Sequence, residues 1–173
     1  MSLAFLCPGQ GSQKIGMGQD IFENSDLAKS HFETANDILG VDIQDIMFNG
    51  PDETLKQTQY TQPALYIVAV TIGLLLIEKG IKPDCAAGHS LGEYSAYALT
   101  GAFDFETGLQ LVNVRAKSMQ NAGTEHPGTM AAIIGLDNEM VENIAKNVSG
   151  TVVAANYNAP GQVVISGTID AVN

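Results

Sequence analysis

Residues 83–101 read PDCAAGHSLGEYSAYALTG. A short run of small apolar residues meets Gly88-His89-Ser90-Leu91-Gly92, and the stretch after it has helical character. This predicts a strand, a sharp turn and a helix, with Ser90 at the apex of a G-x-S-x-G nucleophile elbow. Such a turn holds the serine in a strained backbone with its Oγ exposed, and glycine is required on both sides because side chains there would collide as strand and helix converge. The Leu91 N–H then lies at a helix N-terminus, where it can donate to a developing oxyanion.

The flanking sequence repeats the alternation. "LAFLC" from Leu3 is a compact apolar run closed by Pro8 and glycines, predicting a strand buried on both faces of a parallel sheet. Ala28, Phe32, Ala35 and Leu39 recur at helical spacing over Asp26–Leu39, with Gly40 as the stop and His31 beside the stripe. Thr61 is placed to cap a long helix that tolerates Pro63 in its first turn and ends at Gly80. Phe105, Leu109, Val112 and Ala116 mark a further helix from about Asp104 to Asn121. Strands alternating with helices imply an α/β layer fold with a parallel sheet. After "NAGTEHPGT" the texture changes to "MAAIIGL", "NEMVENIAKN", "TVVAAN", the turn "YNAPG" and "QVVISG". That order is the first part, βαββ, of a ferredoxin-like unit. Its last helix and strand are missing and "TIDAVN" reads as a helix opening, so the chain is expected to be a fragment of a longer protein.

Composition narrows the function. The chain has 173 residues, 45% of them hydrophobic, enough to bury a core. Eight Lys and Arg against nineteen Asp and Glu give a net charge of -11 with no basic cluster, which argues against nucleic acid as a partner. The longest apolar run, "YIVAVTIGLLLI" from Tyr66, falls short of the ~20 residues of a bilayer span, and the N-terminus has no signal-peptide pattern. The expectation is a soluble cytoplasmic protein with no membrane partner. Cys7 and Cys85 each end an apolar run and are read as buried packing residues rather than a disulfide.

An elbow serine needs a base, and the histidines are His31, His89 and His126. His89 adjoins the serine and should project away from it, His31 lies on an amphipathic helix, and His126 precedes Pro127 in a turn-like segment. None is a natural partner. Arg115, the only arginine, sits between Leu111 and Met119 at the edge of an apolar helix face. It can serve as one half of a salt bridge, Glu93 being one possible partner, or as a clamp for a substrate carboxylate, which its planar fork suits. The loop "PGQGSQK" fails the dinucleotide fingerprint because Lys14 stands where the third glycine belongs, and it fails P-loop spacing too. Following the first strand, it is better placed to give a second oxyanion donor, the Gln10 N–H.

Taken together, "CPGQGSQ", "TQPAL" from Thr61, "GHSLGEYSA", "VRAKSMQ" and "NAPGQVVISG" from Asn158 resemble, in order and spacing, the malonyl-CoA:acyl carrier protein transacylases of bacterial fatty acid synthesis. The resemblance implies an α/β-hydrolase-like large subdomain over 1–125 and a truncated ferredoxin-like small subdomain over 126–173. It implies that Ser90 takes malonyl from coenzyme A and passes it to the phosphopantetheine thiol of acyl carrier protein. Malonyl-CoA and acyl carrier protein are then the partners, and no cofactor or metal is called for, coenzyme A entering as the substrate thioester. It implies further that the Gln10 and Leu91 amides form the oxyanion hole, that Arg115 pairs with the malonyl carboxylate, and that Gln62 lines the pocket. Two departures stand out: Cys7 replaces the family's Phe before Pro-Gly-Gln, and the family's catalytic histidine lies beyond Asn173. Alternatives are the acyltransferase domain of a polyketide or multifunctional fatty acid synthase, disfavoured by a methionine start just before the first strand, an α/β-hydrolase esterase, which gives Arg115 no role, and a non-catalytic acyl-binding relative.

Overall fold

The computed structural model describes residues 2–173, which form two compact units divided after Gln120. In the first unit β1 (Ala4–Cys7) is followed by α1 (Gln19–Asn24), α2 (Asp26–Leu39), α3 (Ile43–Phe48) and α4 (Asp52–Leu55). Then come α5 (Thr58–Glu78), β2 (Cys85–Gly88), α6 (Gly92–Leu99) and α7 (Phe105–Glu125), which runs past the boundary. The second unit holds β3 (Gly128–Ile134), α8 (Asn138–Asn147), β4 (Val152–Ala159), β5 (Gln162–Thr168) and α9 (Ile169–Val172).

The parallel sheet and its helices are present as the alternation predicted. β1 pairs in parallel with β2 from Ala4↔Cys85 to Cys7↔Gly88. The expectation of burial on both faces fails, however: Cys7 is buried and Phe5 packs against the core, while Leu6 is 78% exposed and Cys85 is exposed as well. An apolar run records hydrophobicity but cannot say which faces of a strand have neighbours, and here one face carries the core.

α5 organises that core. It is long and apolar enough to cross a membrane by length and composition, since the span includes residues on either side of the apolar run, yet Thr61 to Ile67 are all buried inside the unit. A helix apolar all round needs neighbours all round. A Cβ on Gly73 would lie 2.3 Å from a Leu99 methyl carbon of α6, and one on Gly108 of α7 would lie 2.0 Å from Tyr66 Oη, so glycines set the distance of both neighbours from α5. α5 starts at Thr58 rather than at a Thr61 cap: the Thr61 hydroxyl donates instead to the Leu55 carbonyl at 2.6 Å, fastening α5 to α4. Helices α1, α3 and α4 have only six, six and four residues and were not anticipated, being too short to display a period.

In the second unit the strand order is β3-β5-β4, all antiparallel, with a tight turn at Pro160-Gly161. Val141 of α8 and Ala171 of α9 are buried with Val152 and Val163 on one face of this sheet, while Met130, Ile134 and Val153 point away and are more than half exposed, at 54%, 73% and 55%.

His31 is 8% exposed, stacked on the Phe105 ring at 3.8 Å with 3° between planes. Its Nδ1 lies 2.9 Å from Thr71 Oγ1, whose own hydrogen goes to the Ile67 carbonyl at 2.6 Å, so Nδ1 carries the proton and donates. His31 is therefore a packing residue of the α2–α5 contact, and burial pushes its pKa down from 6.5 to about 4. The unfolded chain binds the extra proton between those values. The stability that neutral His31 contributes is thus complete above about pH 6.5 and is lost as pH falls toward 4, by up to about 3 kcal/mol. Urea unfolding between pH 7 and 4 is expected to show this loss, and His31→Gln to remove that part of the slope.

Candidate active site

Ser90 sits at φ 54°, the only non-glycine residue with positive φ among the described residues. A left-handed backbone costs an L-residue about 1–2 kcal/mol and persists only where the surroundings impose it. They do so here by contact. A Cβ on Gly88 would stand 1.9 Å from the Gly92 carbonyl carbon, and one on Gly92 would stand 2.1 Å from the Cys7 carbonyl oxygen. β2 and α6 thus meet backbone to backbone, and the chain between them has room only for a tight turn. Hydrogen bonds fasten it: His89 N–H to the Cys7 carbonyl at 3.1 Å, Gly92 N–H to that of His89 at 2.9 Å, and Glu93 N–H to that of Ser90 at 3.2 Å.

The turn leaves Ser90 exposed, while Leu91 beside it is 1% exposed and anchors the start of the helix. Among the described residues no backbone bond of the turn uses the Leu91 N–H. The loop after β1 lies on the elbow, since a Cβ on Gly9 would come within 2.7 Å of the His89 carbonyl oxygen. Its shape is held by Ser12 Oγ donating to the Gly9 carbonyl at 2.9 Å, by Gly11 N–H donating to Gln13 Oε1 at 2.8 Å, and by Gln10 Nε2 donating to Thr58 Oγ1 at 3.1 Å. The backbone around Gln10 is thereby kept beside the elbow.

Arg115 of α7 reaches the serine. Its Nη2 donates to Ser90 Oγ at 2.9 Å and its Nη1 to Gln62 Oε1 at 2.5 Å, with the guanidinium carbon 5.8 Å from the centre of the Tyr94 ring. Gln62 is fully buried on α5, and its Nε2 donates to Met119 Sδ at 3.3 Å. Among the described residues Arg115 pairs with no carboxylate, so neither Glu93 nor another acid forms the salt bridge that the sequence left open. Ser90 Oγ accepts from the guanidinium, which leaves its own hydrogen available to a base. A half-buried positive charge at that distance favours an anion on or next to the serine.

Ser90, Arg115 and Gln62 are therefore brought together, with Gln10 and Leu91 flanking the elbow. Tyr94 and Met119 were missed as site residues, although their spacing was visible: Tyr94 lies four residues after Ser90 and Met119 four after Arg115, each one helical turn on. Of the histidines, His31 is committed to Thr71, His89 precedes the serine in the turn, and His126 belongs to the second unit. Among the described residues no group of three His, Cys, Asp or Glu is arranged to hold a metal ion. The elbow contacts generate a direct test: Gly88→Ala and Gly92→Ala are each expected to cost about 3 kcal/mol or more, or to prevent folding, whereas Ser90→Ala leaves the unfolding midpoint within a few degrees.

Residues 4–173 match the acyl transferase domain family. The chain is similar to the malonyl CoA-acyl carrier protein transacylase of Haemophilus influenzae, 46% identical over 98% of this chain and 55% of that protein. It is also similar to the polyketide biosynthesis malonyl CoA-acyl carrier protein transacylase PksC of Bacillus subtilis, 45% identical over 98% of this chain and 58% of that protein. Among solved structures it resembles a malonyl-transacylase in complex with a type II polyketide synthase acyl-carrier protein, with a TM-score of 0.91 at 43% identity, covering 99% of this chain and 57% of that one. The chain thus spans a little over half the length of these relatives. Its elbow, its glycine contacts and its match over residues 4–173 together make the chain a member of the acyl transferase domain family.

Proposed function

We propose that this chain carries the nucleophile and acyl-selecting half of a malonyl-CoA:acyl carrier protein S-malonyltransferase. In this reading Ser90 Oγ attacks the thioester carbonyl of malonyl-CoA, its proton passes to a base, and the carbonyl oxygen gathers charge that the Leu91 and Gln10 N–H groups stabilise. Collapse expels the coenzyme A sulphur, which takes up the proton, and leaves malonyl-Ser90. The phosphopantetheine thiol of acyl carrier protein then attacks that ester, restoring the serine hydroxyl in a ping-pong cycle. The thioester is already activated, so the chemistry calls for no cofactor, and a coenzyme A donor suits a cytoplasmic enzyme. The base in this reading is a histidine outside these 173 residues. The first unit corresponds to an α/β-hydrolase-like large subdomain and the second to part of a ferredoxin-like small subdomain, whose βαββ order it follows.

The observation that carries the reading is the Arg115 guanidinium 2.9 Å from Ser90 Oγ, with no carboxylate paired to it among the described residues. The free carboxylate of a malonyl group lies two carbons from the carbonyl under attack, within reach of a cation beside the nucleophile. Acetyl-CoA brings no such group and forfeits the contact. An esterase for neutral substrates would gain nothing from the arginine. A polyketide acyltransferase would use the same chemistry and differ in its carrier protein, a reading that the likeness to PksC supports.

Intact mass of the full-length protein after brief exposure to malonyl-CoA is expected to rise by one malonyl group, mapped to Ser90, with no increase in Ser90→Ala. Arg115→Ala should lower kcat/KM for malonyl-CoA by about 10–100-fold, the worth of hydrogen bonds to a charged group, while leaving any slow reaction with acetyl-CoA unchanged. No acylation of the full-length protein would contradict the reading.

A further inference from the structure

We propose that Met119 is a positioning residue of the acyl-selecting site, its sulphur fixing the Gln62 amide and, through that amide, Arg115. The inference rests on the malonyltransferase reading and deepens it. Gln62 is fully buried between two partners, Arg115 Nη1 at 2.5 Å on its oxygen and Met119 Sδ at 3.3 Å from its nitrogen. The terminal torsion of a glutamine amide is close to two-fold, so the shape of the pocket scarcely distinguishes the two orientations and the partners must choose. A guanidinium only donates, so the amide oxygen must face it; a thioether only accepts, so the amide N–H must face that. Both ends demand the same orientation. A flipped amide would set its NH2 against Arg115 and leave its oxygen against sulphur.

The two partners come from one rigid element. Arg115 and Met119 are four residues apart on α7, so the helix presents cation and sulphur together to the same glutamine of α5. Met119 is 46% exposed, so its packing contribution is modest and its acceptor is what a substitution chiefly removes. Donation runs outward from Arg115 through four side chains: Nη1 donates to Gln62, whose Nε2 donates on to Met119, and Nη2 donates the other way to Ser90 Oγ. When a substrate carboxylate arrives, the Nη2 end must exchange Oγ for that carboxylate, while the Nη1 end stays on Gln62. A glutamine locked by Met119 keeps the guanidinium aimed during the exchange; an unlocked one lets it swing. That affects binding of the carboxylate, not bond making at Ser90.

The test compares wild-type full-length enzyme with Met119→Leu, which keeps size and loses the acceptor, and Met119→Gln, which restores an acceptor through its side-chain oxygen. Met119→Leu is expected to raise KM for malonyl-CoA by about 5–20-fold, the value of one hydrogen bond to a buried donor, with kcat within about twofold and the acetyl-CoA rate unchanged. Met119→Gln should recover most of the loss. An unchanged KM in Met119→Leu, an equal loss in both variants, or a parallel loss with acetyl-CoA would each overturn the proposal while leaving malonyl transfer intact. Absence of malonyl transfer in the wild type would instead overturn the reading on which it rests.

Discussion

The site depends on a backbone contact. β2 and α6 approach so closely at Gly88 and Gly92 that no side chain fits between them, and the chain can reverse there only with Ser90 at φ 54°. About 1–2 kcal/mol of local strain is held by the pairing of β1 with β2, by the buried Leu91 and by the hydrogen bonds of the turn. The strain serves exposure: the serine is lifted out of both the strand and the helix, and the amide after it is left outside the helical bonding pattern. The same contact draws in the loop after β1, because Gly92 rests on the Cys7 carbonyl and Gly9 on that of His89.

Three helices complete the surroundings of the serine on this frame. α5 supplies Gln62, α6 supplies Tyr94 and α7 supplies Arg115 and Met119, so the cation is held from several sides, and among the described residues no carboxylate pairs with it. In ordinary packing a half-buried arginine finds a carboxylate; here a neutral amide and a ring hold it instead, and its charge remains available to a ligand. In a chain of net charge -11, pairing with an acid would have been the easy outcome.

The elbow was legible because its requirement is local: two glycines flanking a serine between an apolar run and a helix-like one leave few alternatives. The helix of Ala28, Phe32 and Ala35 and that of Leu109, Val112 and Ala116 were legible for the same reason, since burial of a single face imposes a visible period. What escaped the sequence depended on partners distant along the chain. The exposure of Leu6 and Cys85 follows from which face of a strand is covered, and the Thr61 hydroxyl, placed by sequence to cap α5, belongs instead to the Leu55 carbonyl. Gln62 reads, from residues alone, as a stray amide in an apolar helix; the family resemblance singled it out, and only the fold brings Arg115 onto one side of it and Met119 onto the other.

Arg115 is proposed to be reserved for a substrate carboxylate and to yield Ser90 when one arrives. A crystal structure of the full-length protein trapped with malonyl on Ser90 tests this most directly. The guanidinium is expected on the acyl carboxylate, still bonded to Gln62 and no longer to Ser90 Oγ. A carboxylate turned to solvent, or held elsewhere with Arg115 left in its present place, would contradict it.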